Sequence, residues 1–281
     1  MYQELFEKYK DKITMITTTE YEYDPKHNYY FYNEIGTIFS VDKNISKKDY
    51  LEFKKAYIEK TFHLDNAFEK RLQEYLLENG EYPFKKTQGK FFILKSIDDD
   101  QILDLIKDIY KDIYIFKYRE YEIVFYFDAF DNNVLDLFKT MSDDFMINFV
   151  VHDGLWITKD TKGIDILVYI KGVIKYINNC SFDKYSDASD IVLSLVNKHA
   201  DELLFIIKKM VLSRVLDNPK NNNKELLETF FKYDLNVSAT AKALYMHRNS
   251  LIYRLDMLSY MMGLNIQHFV HASAVLILLN L

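Results

Sequence analysis

The sequence predicts an α+β fold that closes in an all-helical segment, and three observations carry that expectation. Between residues 90 and 155, short apolar runs and amphipathic ones follow each other as strand, helix, strand, strand, helix, strand, the βαββαβ order of a ferredoxin-like sheet with helices on one face. Beyond Pro219 the apolar residues recur at helical spacing. Only seven glycines and three prolines interrupt a chain of 281 residues that is 49% hydrophobic, which is enough to bury a core in two or three small domains.

An N-terminal α/β domain of residues 1–86 opens with a short helical pattern. Tyr29 to Tyr32 and Thr37 to Val41, parted by Asn33, Glu34 and Gly36, read as a hairpin. Ser46 with Asp49 three residues on is an N-capping pattern for a helix through about Lys60. A second helix near Asn66 to Glu78 is expected to end at Asn79-Gly80, a natural left-handed stop.

The central domain, residues 87–198, places strands at Phe91 to Lys95, Ile113 to Lys117, Glu122 to Phe127 and Met146 to His152. One helix follows the acidic start Asp98-Asp99-Asp100 and another runs from Asn133 to Met141. A helix from Gly163 to Asn178, a short strand at Phe182 to Tyr185 and a helix from Ala188 to Lys198 complete it. A connecting helix then ends at Asp217-Asn218-Pro219, because proline cannot continue it and restrains the residue before it. The linker segment is 199–219, and the polar run through Asn223 marks a boundary before the last domain, 220–281.

There Glu225 to Tyr233 is amphipathic, with Leu226, Leu227, Phe230 and Phe231 on its apolar side. Asn236 is a good N-cap for a short helix whose Val237, Ala241 and Leu244 share a face. Tyr245-Met246-His247 follows as a tight turn, and His247 caps a second helix on which Leu251, Leu255 and Leu258 look inward. The outer face then presents Arg248, Asn249, Ser250, Ile252, Tyr253 and Arg254. Two helices crossing through such a turn form a unit that fits the major groove of DNA. Arginine matches a guanine edge and asparagine an adenine edge, each through two hydrogen bonds. Asn236, Ser238, Lys242, His247 and Tyr253 are expected beside them, with Lys242, Tyr253 and the helix N-terminal amides holding phosphates.

Residues 247–255, His-Arg-Asn-Ser-Leu-Ile-Tyr-Arg-Leu, closely resemble the His-Arg-Asn-Thr-Leu-x-Tyr-Arg-Leu of the PucR/CdaR family of bacterial regulators, whose C-terminal reader is of the Fis type. Asn236, Ser238, Ala239, Ala241, Ala243 and Leu244 match the preceding helix, and Gly263-Leu264 its end. The central domain resembles, more weakly, the degenerate GGDEF-like, cyclase-like domain of that family. Where an active diguanylate cyclase has Gly-Gly-Asp/Glu-Glu-Phe, this chain has Tyr118-Arg119-Glu120-Tyr121, without the glycines that admit a nucleotide closely. The resemblance implies a DNA-binding transcriptional regulator rather than an enzyme, with no catalytic residue, cofactor or metal, and with an unidentified metabolite or partner as its signal.

Charge agrees with that division of labour. The net charge is −6, yet from residue 205 onward nine lysines and arginines face five acids, so that segment carries +4 and residues 1–204 carry −10. The lone Cys180 allows no disulfide within the chain, the charged N-terminus lacks a secretory pattern, and no stretch approaches about 18 apolar residues. A cytoplasmic protein away from membranes is expected. It should bind double-stranded DNA as a homodimer or higher oligomer, because one short reader helix contacts few base pairs.

Several residues could suggest other chemistry. His268 and His271, at i and i+3, lack a third ligand and are expected to be structural or exposed. His152-Asp153-Gly154 is expected to be a strand-end turn, and Asp98-Asp99-Asp100 a helix start. Cys180 is expected to be a plain half-buried thiol. The rival functions are a catalytically inactive cyclase-like sensor or interaction protein, and a nucleotide-processing enzyme tethered to DNA.

Overall fold

The computed structural model describes residues 7–16, 27–33, 38–60, 67–96, 102–110, 112–127, 134–145, 149–179, 185–196, 201–216 and 221–281. Asp98-Asp99-Asp100, Cys180, residues 182–184 and the stop at 217–219 lie outside them. Among the described residues the fold is mixed α+β, with eleven α-helices and two sheets. The chain divides into two compact units, residues 1–83 with 116–122, and residues 84–115 with 123–281.

The first unit holds a four-stranded antiparallel sheet of order β1-β3-β2-β4: β1 (Ile13–Ile16), β2 (Asn28–Tyr32), β3 (Ile38–Asp42) and β4 (Ile58–Glu59). The expected hairpin is the β2–β3 pair, in register Phe31 to Phe39. Helix α1 (Lys47–Ala56) is capped by Ser46, whose Oγ accepts from the Asp49 amide at 3.1 Å. It stops at Ala56, four residues before the expected end, because Ile58 and Glu59 leave the helix to pair with Tyr32 and Phe31. Phe31, Phe39, Val41, Phe53, Ala56 and Tyr57 form the core. Buried Asp49 receives Lys8 Nζ at 2.7 Å, together with the Ser46 and Tyr9 hydroxyls. Those hydrogen bonds, from Lys8 first, hold its carboxyl well below the usual range. Helix α2 (Ala67–Glu78) ends as expected, with Asn79 left-handed at φ 57°.

The second sheet has the order β6-β7-β5-β8-β9. Its strands are β5 (Gln88–Ser96), β6 (Ile113–Tyr118), β7 (Tyr121–Tyr126), β8 (Phe149–Thr158) and β9 (Tyr185–Ser186). Helix α3 (Ile102–Ile109) joins β5 to β6 and α4 (Val134–Phe145) joins β7 to β8. The first four strands therefore lie in the order 2-3-1-4 of a ferredoxin-like sheet, and β9 extends it parallel to β8. Phe92, Leu94, Val124, Tyr126, Phe149 and Val151 pack on Ile106 of α3, on Tyr110 just after it, and on Phe138 and Met141 of α4. Phe91 points the other way, its ring 5.7 Å from Tyr169 on α5 (Gly163–Asn179).

His152-Asp153-Gly154 is not a strand-end turn. Strand β8 runs through it to Thr158, and between the pairs Phe92–Asp153 and Lys90–Trp156 it carries one residue more than β5. That is a bulge. Gly154 fits it because a Cβ there would stand 2.5 Å from the Phe91 carbonyl oxygen. His152 is wholly buried, with Nδ1 2.9 Å from Ser186 Oγ and Nε2 2.6 Å from the Tyr169 hydroxyl. Burial pulls its pKa down to about 3, so the ring is neutral.

Helices α6 (Ala188–Leu195) and α7 (Asp201–Leu216) follow, and then four more. Asp187 caps α6, accepting from the Ser189 amide at 2.7 Å while Asp190 reaches back to the Asp187 amide at 2.9 Å.

Candidate nucleic-acid interface

The last four helices are α8 (Asn223–Lys232), α9 (Val237–Ala243), α10 (Arg248–Met262) and α11 (Phe269–Asn280). Leu226, Leu227 and Phe230 bury the inner side of α8. Asn236 caps α9 with Oδ1 on the Ala239 amide at 3.0 Å. Thr240 and Ala241 are its buried residues, whereas Val237 and Leu244 are only half-buried. Ala241 is small where α10 crosses.

The turn is a hydrogen-bonded helix stop. Met246 donates its amide to the Ala241 carbonyl at 2.8 Å, and Tyr245 to that of Lys242 at 3.3 Å. This is the Schellman pattern, which needs a left-handed residue after the cap. Tyr245 takes that place at φ 53°, where glycine is usual, and its side chain is 99% exposed. His247 then caps α10, its Nδ1 accepting from the Asn249 amide at 3.3 Å.

On α10 the two faces separate cleanly. Leu251, Leu255 and Leu258 are fully buried, while Arg248, Asn249, Ser250 and Tyr253 are exposed, Tyr253 at 71%. Ile252 is half-buried at the margin. Ser238, Lys242 and His247 are exposed as well, as is the N-cap Asn236. Hence the first two turns of α10, with Asn236, Ser238 and Lys242 at the two ends of α9, present amide, hydroxyl, guanidinium and ammonium groups outward.

Arg254 is placed differently from its neighbours. It is half-buried, and Nη2 donates to the Asn221 carbonyl and, at 3.0 Å, to Asn223 Oδ1. Its Nη1 lies 3.9 Å from Met246 Sδ. Asn223, buried at the end of the polar run, donates from Nδ2 to the Val215 carbonyl of α7 at 2.9 Å. One amide therefore joins α7, α8 and α10. Nothing in the local pattern singles Asn223 out, because its partners lie 8 and 31 residues away.

Helix α10 ends at Gly263, φ 71°, where the Leu264 amide reaches the Ser259 carbonyl at 3.2 Å. Beside that glycine stands Trp156 of β8. A Cβ on Gly263 would lie 3.2 Å from Trp156 Cδ1, and the Tyr260 ring is centred 5.2 Å from the indole. His268 is exposed. His271 is half-buried, with Nε2 3.0 Å from Asp187 Oδ2 and Nδ1 accepting from the Asn265 amide at 2.9 Å. The hydrogen bond to Asp187 draws the His271 pKa up. Burial disfavours the Asp187 charge, but hydrogen bonds from His271 and Ser189 outweigh it and hold that carboxyl below its usual range. Among the described residues no group of three or more ligating side chains is assembled for a metal ion, and no helix is long and apolar enough to cross a membrane.

Comparison with known proteins agrees with this geometry at the C-terminal end. Residues 224–281 match the PucR C-terminal helix-turn-helix domain. No curated protein matches the chain. Among solved structures the chain is similar to a regulator of polyketide synthase expression from Bifidobacterium adolescentis, with 16% identity, a TM-score of 0.38, and coverage of 78% of this chain and 94% of that one. With its four helices, its Schellman turn and its outward Arg-Asn-Ser start, the segment from residue 224 to residue 281 is similar to the PucR C-terminal helix-turn-helix domain that it matches.

Proposed function

We propose that the protein is a sequence-specific, double-stranded-DNA-binding transcriptional regulator of the PucR/CdaR type, and that α10 enters the major groove by its N-terminal turns. Arg248, Asn249 and Ser250 meet base edges. Ile252 lies at the edge where a thymine methyl would come, and Tyr253 and Lys242 reach phosphates with Asn236, Ser238 and His247 near the backbone. Arg254 holds α10 against α8 rather than reaching the duplex. The observation that carries this reading is the two-faced helix: three leucines fully buried on one side, and Arg248, Asn249, Ser250 and Tyr253 in solvent on the other. The excess of basic residues in the C-terminal segment supports it.

The protein works as a homodimer on paired half-sites in the cytoplasm, and the remaining domains receive an unidentified metabolite or partner. The Tyr118-Arg119-Glu120-Tyr121 hairpin, with Arg119 left-handed at φ 59°, supports a sensory rather than a cyclising role for the central domain. Selection by the full chain from a random-sequence duplex library tests the proposal. Enrichment of an inverted repeat, lost on Arg248→Ala, is the expected result. Equal retention of all sequences would contradict it.

A further inference from the structure

Two sets of hydrogen bonds, joined through the peptide bond between Ser186 and Asp187, run from the interior of the second sheet to α10. Tyr169 on α5 meets His152 Nε2 at 2.6 Å, and His152 Nδ1 meets Ser186 Oγ at 2.9 Å. The next residue, Asp187, receives His271 Nε2 at 3.0 Å. His271 Nδ1 accepts from the Asn265 amide at 2.9 Å, and Asn265 Oδ1 accepts from the Gln267 amide at 3.1 Å. Gln267 Nε2 then donates to Asp256 Oδ1 on α10 at 2.7 Å. The first three members are fully or almost fully buried, so each polar group depends on its neighbour for a partner.

We infer that this series is a positioning strut, through which a change in the sheet around α5 and β9 alters how firmly α10 is held. The inference rests on the DNA-reader assignment only for its biological use, since the strut itself is a property of the folded chain. His271 is its pivot. As a neutral imidazole it donates from Nε2 to Asp187 and accepts at Nδ1 from Asn265, so both ring nitrogens are engaged and the ring can turn only by breaking one contact. Asp187 is equally constrained, because it also caps α6. The strut therefore connects the start of α6 to the loop that follows α10, and that loop to the outer side of α10 two turns beyond Arg248. Beside it the Trp156–Gly263–Tyr260 contact leaves little room for α10 to shift without moving β8. A ligand or partner that displaced α5 or β9 would act on the reader along this line.

Hydrogen exchange of the full chain, read at the α10 amides, tests the strut without any DNA. Tyr169→Phe removes one hydroxyl and keeps the ring, His271→Ala cuts the strut at its pivot, and His271→Gln restores a donor toward Asp187. Each of the first two is expected to lower protection of α10 by about tenfold, the glutamine to recover most of it, and the Tyr169→Phe/His271→Ala pair to lose no more than His271→Ala alone. Phe138→Leu, on the opposite face of the sheet, should leave the α10 amides as they were relative to the rest of the unit. Unchanged α10 protection in Tyr169→Phe, or simple additivity in the pair, would overturn the inference. The same variants bound to duplexes selected by the wild-type protein should lose affinity in the same order. A wild-type chain that selects no sequence would refute the reader, while the exchange result would still decide the strut.

Discussion

Arg254 and Asn223 form a clamp: Nη2 donates to Oδ1 at 3.0 Å, and the same asparagine donates onward to the last turn of α7. The motif that places an arginine six residues after Arg248 thus carries two arginines of different kinds. One faces solvent and the other ties three helices together. Arg254→Ala should lower unfolding stability by about 1–3 kcal/mol, since it strands a buried amide oxygen and a carbonyl. Arg248→Ala should leave the thermal midpoint in place. Thermal unfolding of both variants checks the pair, and equal midpoints would contradict the division.

Gly263 is required twice, by its left-handed backbone and by the indole beside it. Gly263→Ala is expected to cost about 1–2 kcal/mol from the backbone alone, and to change the emission of Trp156, the chain's only tryptophan. Wild-type stability together with unchanged fluorescence would show that neither constraint holds.

Tyr245 points the other way in energy. It occupies the left-handed position of the α9 stop with nothing gained from its exposed ring, so Tyr245→Asn should raise stability by roughly 0.5–1 kcal/mol. Chemical denaturation measures this directly, and a fall in stability would mean that the ring is held by contacts in solution.

Much of this was legible in the sequence, and the exceptions have physical causes. The helix-turn-helix pair is legible because its caps and its buried face are local: Asn236 and His247 cap their own helices, and Leu251, Leu255 and Leu258 recur at helical spacing. The order of β5 to β8 was visible for the same reason. The inward turn of Arg254 was not, because it depends on Asn221 and Asn223, more than thirty residues away. Gly154 misled because a glycine after His-Asp looks like a turn, whereas its use is to let the β8 bulge pass Phe91. Strand β1 is not legible, since Ile13 to Ile16 becomes a strand only through pairing with β3. His271 gave no sign of its partner Asp187, 84 positions earlier, and the expected structural role of that histidine became visible only in three dimensions.

His152 makes stability depend on pH. In the unfolded chain it binds a proton near its ordinary value of 6.5, but folded it stays neutral down to about 3. Between those values the unfolded state holds more protons, so stability falls as the pH drops, by up to about 1.4 kcal/mol per unit. His271, whose folded pKa is raised, acts oppositely: its contribution is complete below its ordinary value and is lost as pH rises through the folded one. The depressed carboxyls of Asp49 and Asp187 contribute above the ordinary carboxylate range and lose that contribution only at lower pH. Asp153, next to it in β8, has its carboxyl pushed up by burial and takes up its proton before the unfolded chain does, so the window from about pH 6 to about 4.5 reports on His152 with Asp153 opposing it. His152→Gln should flatten the stability profile there, and a slope equal to wild type would show that the ring takes up its proton within the fold.

The most direct test of the central claim is the salt dependence of binding by the full chain to a duplex it has selected. If α10 and α9 lie on the phosphate backbones, log affinity falls linearly with log salt concentration, by roughly 0.9 for each phosphate contacted. Lys242→Ala should then reduce that slope by about one phosphate's worth, while Arg248→Ala lowers affinity for the selected sequence by about 1–3 kcal/mol. An affinity indifferent to salt, or an unchanged preference in Arg248→Ala, would contradict a DNA reader at this surface.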